Sequence, residues 1–285
     1  MKVQRLLLIS LLPTIALGTA TFLRAQKLPS EPLHDAGQSI TGAFEGWFQN
    51  QDGSFSILLG YYNRNQKQEL DIPIGPNNRI EPGDPDQGQP THFLPGRQWG
   101  VFVITVPKDF GTNKLIWTLV ANGQTAVIPA NLDPLWEISP FLDATGMTPP
   151  SIRFEGGASV RGPRQISTAL STTVANPLTL KAWVSDEAKI PPGMQRPKIP
   201  PVILTWSKFR GRGVVTFTNA KPPVEEAASD TAPPAAYSGV AATTATFSEP
   251  GEYVLRVVAN NWSAVGVGGF PCCWTNAEVR VSVKP

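Results

Sequence analysis

The fold of this 285-residue chain is decided by the stretch "GEYVLRVVANN" at residues 251–261 and by "NAEVRVSV" at residues 276–283. In the first stretch every second residue is apolar: Tyr253, Leu255, Val257 and Ala259. In the second, Ala277, Val279, Val281 and Val283 alternate with Glu278, Arg280 and Ser282. Successive side chains of a strand point to opposite faces, so a period of two predicts antiparallel strands with one buried face and one solvated face.

The same period of two is found upstream, in "PLTLKAWV" at residues 177–184 and "VILTW" at residues 202–206. Helical periodicity is nearly absent, because no long window repeats apolar residues at three-and-four spacing without Pro or Gly. The chain contains 29 Pro and 25 Gly, which interrupt short β-branched and aromatic runs. This punctuation predicts an all-β protein built from antiparallel sheets.

Residues 44–142 also have strand patterns, and we predict that they form a β-sandwich of unknown family. The runs are "GSFSILLGYY", "QELDIPIG", "WGVFVITV" and "KLIWTLVANGQTAVIPA". Asn122-Gly123 in the last run accepts the positive φ angles of a tight type I′ turn, which predicts a hairpin. Four tryptophans are expected to contribute to the core of this sandwich: Trp47, Trp99, Trp117 and Trp136.

Pro149-Pro150 favours extended backbone outside a sheet interior, so a linker is predicted at residues 143–150. We expect a second β-sandwich at residues 151–285. Its segment near residues 220–239 is proline-rich and is expected to be a mobile insertion, since such a composition buries little apolar area.

The first 25 residues have the pattern of a secretory signal peptide. Lys2 and Arg5 precede an apolar run from Leu6 to about Leu17, and a small residue, Ala25, offers a cleavage site. The run is shorter than the roughly 20 residues of a bilayer span. We therefore expect a secreted or periplasmic protein without a membrane span after cleavage, with residues 26–43 as a linker; an uncleaved N-terminal anchor is the alternative.

The formal net charge of +2 depends mostly on the predicted signal peptide. Cleavage after residue 25 would remove Lys2, Arg5 and Arg24 and leave a net charge of −1. Nucleic-acid binding depends on clustered Lys and Arg that neutralise phosphates. A near-neutral mature chain therefore argues against a nucleic-acid partner.

The segment "TATFSEPGEYVLRVVANN" at residues 244–261, followed by "TNAEVRVSV", resembles the C-terminal half of PKD-type domains, a branch of the immunoglobulin-like sandwiches. The matching residues are Phe247, Pro250, Gly251, Tyr253, Leu255 and Val257. The resemblance implies a buried Trp206 on strand C and a Tyr253 hydroxyl that bonds to backbone near the corner. It also implies that Leu180 and Leu255 occupy the places of the antibody inter-sheet disulfide. After Trp206 this chain has "SKFRGRG" where PKD-type domains have an Asp-rich turn.

On such a sandwich the B–C and F–G loops lie at the same end. Here they are the long segments "SDEAKIPPGMQRPKIPP" and "NNWSAVGVGGFPCCW", and long loops on a rigid scaffold carry binding residues. The predicted binding residues are Cys272, Cys273, Trp274, Trp262 and Phe270. Export favours oxidation of the cysteines. A vicinal disulfide forming an apolar knob on the rim of the sandwich is the leading prediction, and such a knob would either contact a partner or only stiffen its loop. A disulfide to another chain and reduced or metal-bound thiols stay open.

Catalytic motifs are absent from the sequence: there is no nucleophile elbow, zinc-protease helix, phosphate loop or dinucleotide fingerprint. We predict no cofactor and no metal site. The segment "EPGDPDQGQP" at residues 81–90 resembles a calcium-binding loop through Asp84, Asp86 and Gly88, but a solvated proline-rich turn is the preferred interpretation. The predicted function is non-catalytic binding of a protein or a cell-surface polysaccharide. A carbohydrate-binding module using Tyr61, Tyr62 and Trp183 is one alternative, and a glycoside hydrolase with two facing carboxylates is another.

Overall fold

The computed structural model describes residues 33–143, 146–163, 167–187, 193, 201–227, 237–261 and 272–285. The predicted signal peptide and residues 26–32 lie outside the described residues, as does most of the predicted B–C loop. Residues 33–285 form one compact unit. The described residues are all-β, with a single 3₁₀ turn at Pro134–Trp136, which confirms the predicted fold class. None of the described segments is a helix long and apolar enough to span a bilayer.

The first sandwich is built from two three-stranded sheets and a short strand pair. One sheet has the order β1-β2-β6, the other has the order β4-β7-β8, and β3 pairs with β5. The strands are β1 (Ile40–Gln49), β2 (Phe55–Asn63), β3 (Leu70–Asp71), β4 (Asn78–Glu81), β5 (His92–Phe93), β6 (Gly96–Val106), β7 (Leu115–Ala121) and β8 (Gln124–Ala130). Asn122 and Gly123 have φ angles of 48° and 77° between β7 and β8. The predicted hairpin is confirmed.

The core of the first sandwich contains two of the four tryptophans that we expected there. Trp47 and Trp117 are buried among residues of both sheets, and the Trp117 indole donates to Asn78 Oδ1 at 3.0 Å. The prediction is wrong for Trp99 and Trp136, which are 45% and 50% exposed. The reason is positional: Trp99 lies at the partly exposed start of β6, before the buried run that begins at Gly100, and Trp136 lies in the 3₁₀ turn after the last strand.

The second sandwich has the strand order of an immunoglobulin-like fold. One sheet runs β10-β9-β12-β16-β14 with β15 on β16, and the other runs β11-β18-β17-β13. The strands are β9 (Ser151–Arg153), β10 (Val160–Arg161), β11 (Ser167–Thr173), β12 (Leu178–Asp186), β13 (Val202–Arg210), β14 (Val215–Phe217), β15 (Glu225–Glu226), β16 (Tyr237–Phe247), β17 (Gly251–Asn261) and β18 (Trp274–Lys284). Strands β9, β12, β16 and β14 correspond to A, B, E and D, and β13, β17 and β18 to C, F and G. The β11–β18 pair is parallel.

The predicted core of the second sandwich is confirmed. Trp206, Leu180 and Leu255 are buried together between the two sheets. Tyr253 is buried as well, and its hydroxyl donates to the Glu249 carbonyl at 2.8 Å. This bond from the start of β17 to the backbone four residues upstream is the tyrosine corner of immunoglobulin-like folds.

The proline-rich segment is partly packed against the second sandwich. The Trp206 amide donates to the Ala220 carbonyl at 2.8 Å, and β15 pairs with β16. The expectation of a mobile insertion is therefore wrong for residues 220–227, because backbone hydrogen bonds to the sheet hold them. Residues 228–236 lie outside the described residues.

Candidate binding site at the joint of the two sandwiches

The segment "SKFRGRG", where the chain departs from the PKD-type pattern, holds the two sandwiches together. The Phe209 side chain projects from strand β13 into the core of the first sandwich, where it is buried, and the Phe209 carbonyl accepts from the Thr91 amide at 3.2 Å. Arg210 makes two hydrogen bonds to the Asp86 carboxylate, at 2.8 and 2.9 Å. Asp86 lies in residues 81–90, the segment whose sequence resembles a calcium loop, and its carboxylate is thus hydrogen-bonded to Arg210.

The outer face of the β17–β18 pair forms the second part of this joint. Arg256 Nη2 donates to the Gly100 carbonyl at 3.2 Å, and Asn276 Nδ2 donates to the same oxygen at 2.5 Å. The Trp274 ring packs over Gly100, whose φ is +51°; a Cβ there would lie 2.6 Å from Trp274 Cε2. Only glycine allows this approach and this backbone conformation.

Apolar side chains from both sandwiches surround the Trp274 ring. Phe48, Leu58 and Val103 come from the outer face of the β1-β2-β6 sheet, and Val258 comes from β17. This small core lies between the two larger ones. This second part of the joint therefore combines apolar burial with two hydrogen bonds to the Gly100 carbonyl.

The cysteine pair lies beside this joint. Cys272 and Cys273 form a vicinal disulfide across a cis peptide bond, and they are 6% and 0% exposed. They pack on Met147, whose carbonyl oxygen lies 3.4 Å from Cys273 Sγ. The expectation of an exposed knob is wrong, because the cysteines directly precede β18 where it runs under the first sandwich and the connecting segment covers them.

The connecting segment between the sandwiches is fastened near the disulfide. The Asn261 amide group donates to the Thr148 carbonyl at 3.1 Å, and the Thr275 hydroxyl donates to the Pro150 carbonyl. Met147, Pro149 and Pro150 are buried. The predicted linker is thus a packed strap at these residues; the domain boundaries themselves stay a prediction.

A cavity of about 230 Å³ lies in the joint. It is bordered by both sandwiches, and its walls include the disulfide. The lining residues are Leu94, Arg97, Gln98, Trp99, Thr205, Ser207, Arg256, Val258, Asn260, Cys272 and Trp274. Two of these residues, Cys272 and Trp274, are among the binding residues predicted from the sequence. Trp262 and Phe270, two further binding residues predicted from the sequence, lie outside the described residues.

The charged groups around this cavity differ in how they are paired. Glu45 accepts from Arg97 Nη2 at 2.5 Å and from the Gly100 amide at 2.6 Å, and burial raises the pKa of Glu45 although Arg97 opposes the rise. Arg256 has no carboxylate within ion-pair distance among the described residues. Burial lowers the pKa of Arg256 to about 10. Both hydrogen-bond acceptors of Arg256 among the described residues are neutral, and the carboxylates of Glu278 and Glu45 attract it from further away. A buried charge of this kind is costly and is a candidate binding group.

A second cavity, of about 460 Å³, lies further along the joint and shares Leu94, Thr205 and Ser207 with the first. The buried His92 lies between two carboxylates in its wall: Nδ1 is 2.9 Å from Asp71 Oδ1 and Nε2 is 3.2 Å from Glu69 Oε2. Lys208 Nζ, from the second sandwich, lies 3.1 Å from Asp71 Oδ1. Among the described residues no set of histidine, cysteine and carboxylate groups is arranged to hold a metal ion.

Stability is expected to depend on pH through Asp71. Partial burial acts to raise the pKa of Asp71, but the hydrogen bond from His92 and the Lys208 ammonium outweigh it, so this pKa is lowered. A carboxyl group with a lowered pKa in the folded state stabilises the fold above its ordinary value of about 3.9, and this stability is lost as the pH falls through the folded value. Asp71→Asn should therefore reduce the free energy of unfolding near neutral pH. The deficit should shrink as the medium becomes acidic.

Urea unfolding of Asp71→Asn and wild type across a pH series would measure this difference. The exposed Asp109→Asn is the control and should follow wild type throughout. A deficit for Asp71→Asn that stays constant down to strongly acidic pH would contradict the assignment.

The aromatic residues of the carbohydrate alternative do not form a common platform. Tyr61 is buried, and its hydroxyl accepts from the Leu94 amide at 2.8 Å; Tyr62 is exposed. Trp183 lies on β12 of the second sandwich between Lys181 and Arg153, which stack on its ring. The sequence reasoning missed the exposed Trp99, whose ring carries the Arg97 guanidinium 3.7 Å from its centroid. The signal that could have revealed it is a tryptophan among polar residues, in "GRQWG" at residues 96–100.

The strand order and the joint define a pair of coupled β-sandwiches, the second immunoglobulin-like. No protein-family model and no curated protein matches the chain. Among solved structures it is similar to domains 4 and 5 of the S-layer protein SbsC, with 10% identity, 87% of this chain and 98% of that chain covered, and a TM-score of 0.23. It is also similar to zebrafish RET cadherin-like domains 1 to 4 (10% identity, 80% and 47% covered, TM-score 0.27). A third similar structure is the D00-D0 domain of intimin, with 14% identity, 85% of this chain and 99% of that chain covered, and a TM-score of 0.22. TM-scores of this size add nothing to the fold that the strand order defines.

Proposed function

We propose that this chain acts outside the cytoplasm as a non-catalytic structural and binding module that contacts a protein or a cell-surface polymer. The signal-peptide pattern of the first 25 residues supports the compartment. The binding surface in this proposal is the joint between the sandwiches. It replaces the exposed cysteine knob that the sequence suggested, and it keeps Cys272 and Trp274 as wall residues. Trp262 and Phe270, outside the described residues, stay predicted binding residues.

The observation that carries the proposal is the shared carbonyl of Gly100, which accepts from both Arg256 and Asn276 at the centre of the joint. Hydrogen bonds buried between two sandwiches cost free energy if they are broken, because the groups then lose their partners. The sandwiches should therefore move as one body and present a fixed cavity between them. A fixed surface binds with a smaller entropy loss than a hinged one.

Catalysis is not part of the proposal. Glu69 and Asp71 both line the larger cavity, but His92 holds both carboxylates. A hydrolase needs one carboxylic acid and one carboxylate on opposite sides of a glycosidic bond. Two carboxylates that flank a histidine do not give that arrangement.

Small-angle scattering and calorimetry of the mature chain would test the proposal, alongside a reducing-end assay on a panel of polysaccharides. We expect a scattering profile of a single rigid shape, one cooperative unfolding transition and no release of reducing ends. Two separate transitions for wild type would contradict the coupling of the sandwiches. Release of reducing ends that disappears in Asp71→Asn would contradict the non-catalytic assignment.

A further inference from the structure

The smaller cavity of the joint has a lining whose chemistry points to one class of ligand. Among the described residues of its lining the charged ones are two arginines, Arg97 and Arg256, and none is a carboxylate. Neutral hydrogen-bonding residues make up much of the rest: Gln98, Thr205, Ser207 and Asn260. A small number of polar groups converging on a concave surface is the usual composition of a ligand site. The lining therefore favours an anionic ligand with several hydroxyl groups.

Arg256 is the group with unused binding capacity. An arginine has five N–H donors, and both hydrogen bonds that Arg256 makes to described residues come from Nη2. Its Nε is buried without a partner, while the whole residue is only 7% exposed. A charge-assisted bond from a guanidinium to a carboxylate is about twice as strong as a neutral one. Glu278 and Glu45 attract Arg256 only from beyond ion-pair distance, so a ligand carboxylate would supply the direct ion-pair partner that this guanidinium does not have among the described residues.

Trp99 supplies a second contact at the cavity. Arg97 stacks on the Trp99 ring and is itself fixed by Glu45 and by the Tyr61 carbonyl, at 2.5 and 2.9 Å. The ring is thus held in place while 45% of the residue stays exposed. The negative face of an indole attracts the positive C–H edges of a ring packed on it. A sugar ring is a suitable partner for this exposed surface.

The size of the cavity limits what enters it. Pockets for drug-sized ligands have volumes of roughly 300–1,000 Å³, and this one has about 230 Å³. The volume therefore suits a single residue of a polymer rather than a long segment of chain. The rest of the polymer would remain outside, near Trp99.

We propose that the cavity binds a uronic acid residue of an acidic polysaccharide, with the carboxylate on Arg256 and the sugar ring on Trp99. This inference rests on the proposed binding function and names its ligand class. An acidic peptide side chain would satisfy Arg256 but has no ring for Trp99 and no hydroxyls for Gln98 and Asn260. A uronate would contact Arg256, Trp99, Gln98 and Asn260, whereas an acidic peptide side chain would contact only Arg256.

Titration calorimetry would test the proposal with trimers of galacturonate, glucuronate and mannuronate. The methyl ester of each trimer is the matched neutral probe, and a hexaglutamate peptide is the alternative ligand. At least one uronate trimer should bind wild type, and its ester should bind at least tenfold more weakly. Trp99→Ala and Arg256→Met should each weaken binding at least tenfold. Trp136→Ala, which removes an exposed tryptophan elsewhere on the first sandwich, should bind as wild type does.

Several results would overturn the proposal. They are equal binding of acid and ester, unchanged affinity of Trp99→Ala, no binding of any of the three trimers, and binding of hexaglutamate alone. Scattering profiles of the same samples separate this proposal from the function on which it rests. A wild-type profile of one rigid body with no uronate binding would overturn only the ligand, whereas a profile of two independent bodies would overturn the coupled module itself.

Discussion

Replacing Phe209 by alanine is expected to lower the free energy of unfolding by about 3–5 kcal/mol, the range for removing a buried phenylalanine. Phe209 belongs to strand β13 of the second sandwich, yet its side chain is buried in the core of the first. The substitution leaves a cavity in that core and removes the apolar anchor of the joint. Urea unfolding followed by tryptophan fluorescence would measure the loss.

Phe154→Ala is the matched control for this prediction, since Phe154 is buried in the second core alone. Amide hydrogen exchange separates the two variants, because it reports local opening residue by residue. Phe209→Ala should speed exchange in β4, β7 and β8 of the first sandwich, and Phe154→Ala should leave those strands protected. Equal protection of the first sandwich in both variants would show that Phe209 does not couple the two cores.

The inner faces of the strands were predictable from the sequence, and for a simple reason. Alternation records which side chains are buried against a partner sheet, so Tyr253, Leu255 and Val257 identified the second core without any long-range information. The hairpin at Asn122-Gly123 was equally predictable, because positive φ angles are a local property of these residues. The tyrosine corner followed from the family resemblance.

The joint was not predictable from alternation, because a period of two says which face is buried in the core and nothing of what covers the other. The second face of β13 and β17 was expected to be solvated. It carries Phe209, Val254 and Val258. Apolar residues on a face that was expected to be solvated indicate that another layer covers it, and the sequence reasoning did not use this signal. Which layer this is depends on contacts such as Arg256 with Gly100, which are 156 residues apart.

The buried disulfide and the exposed Trp99 have the same explanation. Cysteine pairs in long loops are expected at the surface, but Cys273 is covered by Met147 of the connecting strap, 126 residues away. Trp99 was assigned to the core from its place in a strand pattern, whereas Arg97 stacks on its ring at the cavity. Both errors come from judging a side chain by its own segment.

The cost of burying Arg256 indicates a role in binding rather than in stability. Its guanidinium is buried without an ion-pair partner among the described residues, and burial lowers its pKa to about 10. Desolvation of such a charge costs several kcal/mol that bonds to neutral acceptors recover only in part. A residue that existed only to hold the joint would be better replaced by an apolar side chain of similar length.

Arg256→Met is accordingly expected to raise the free energy of unfolding by about 1–3 kcal/mol, even though it removes the ligand's anchor. Replacing a buried ion pair by apolar residues of similar volume is often neutral or stabilising by about 1–4 kcal/mol. Methionine removes the desolvated charge of Arg256 without leaving a direct ion-pair partner behind among the described residues. The lost bond to Asn276 and the lost attraction to Glu278 and Glu45 offset about 1 kcal/mol of that gain. The Gly100 carbonyl keeps its bond from Asn276. Thermal and urea unfolding would measure the change, with the exposed Arg280→Met on β18 as a control that should stay near wild type. A loss of stability in Arg256→Met would mean that the guanidinium is structural, since its two hydrogen bonds would then outweigh the cost of burying its charge.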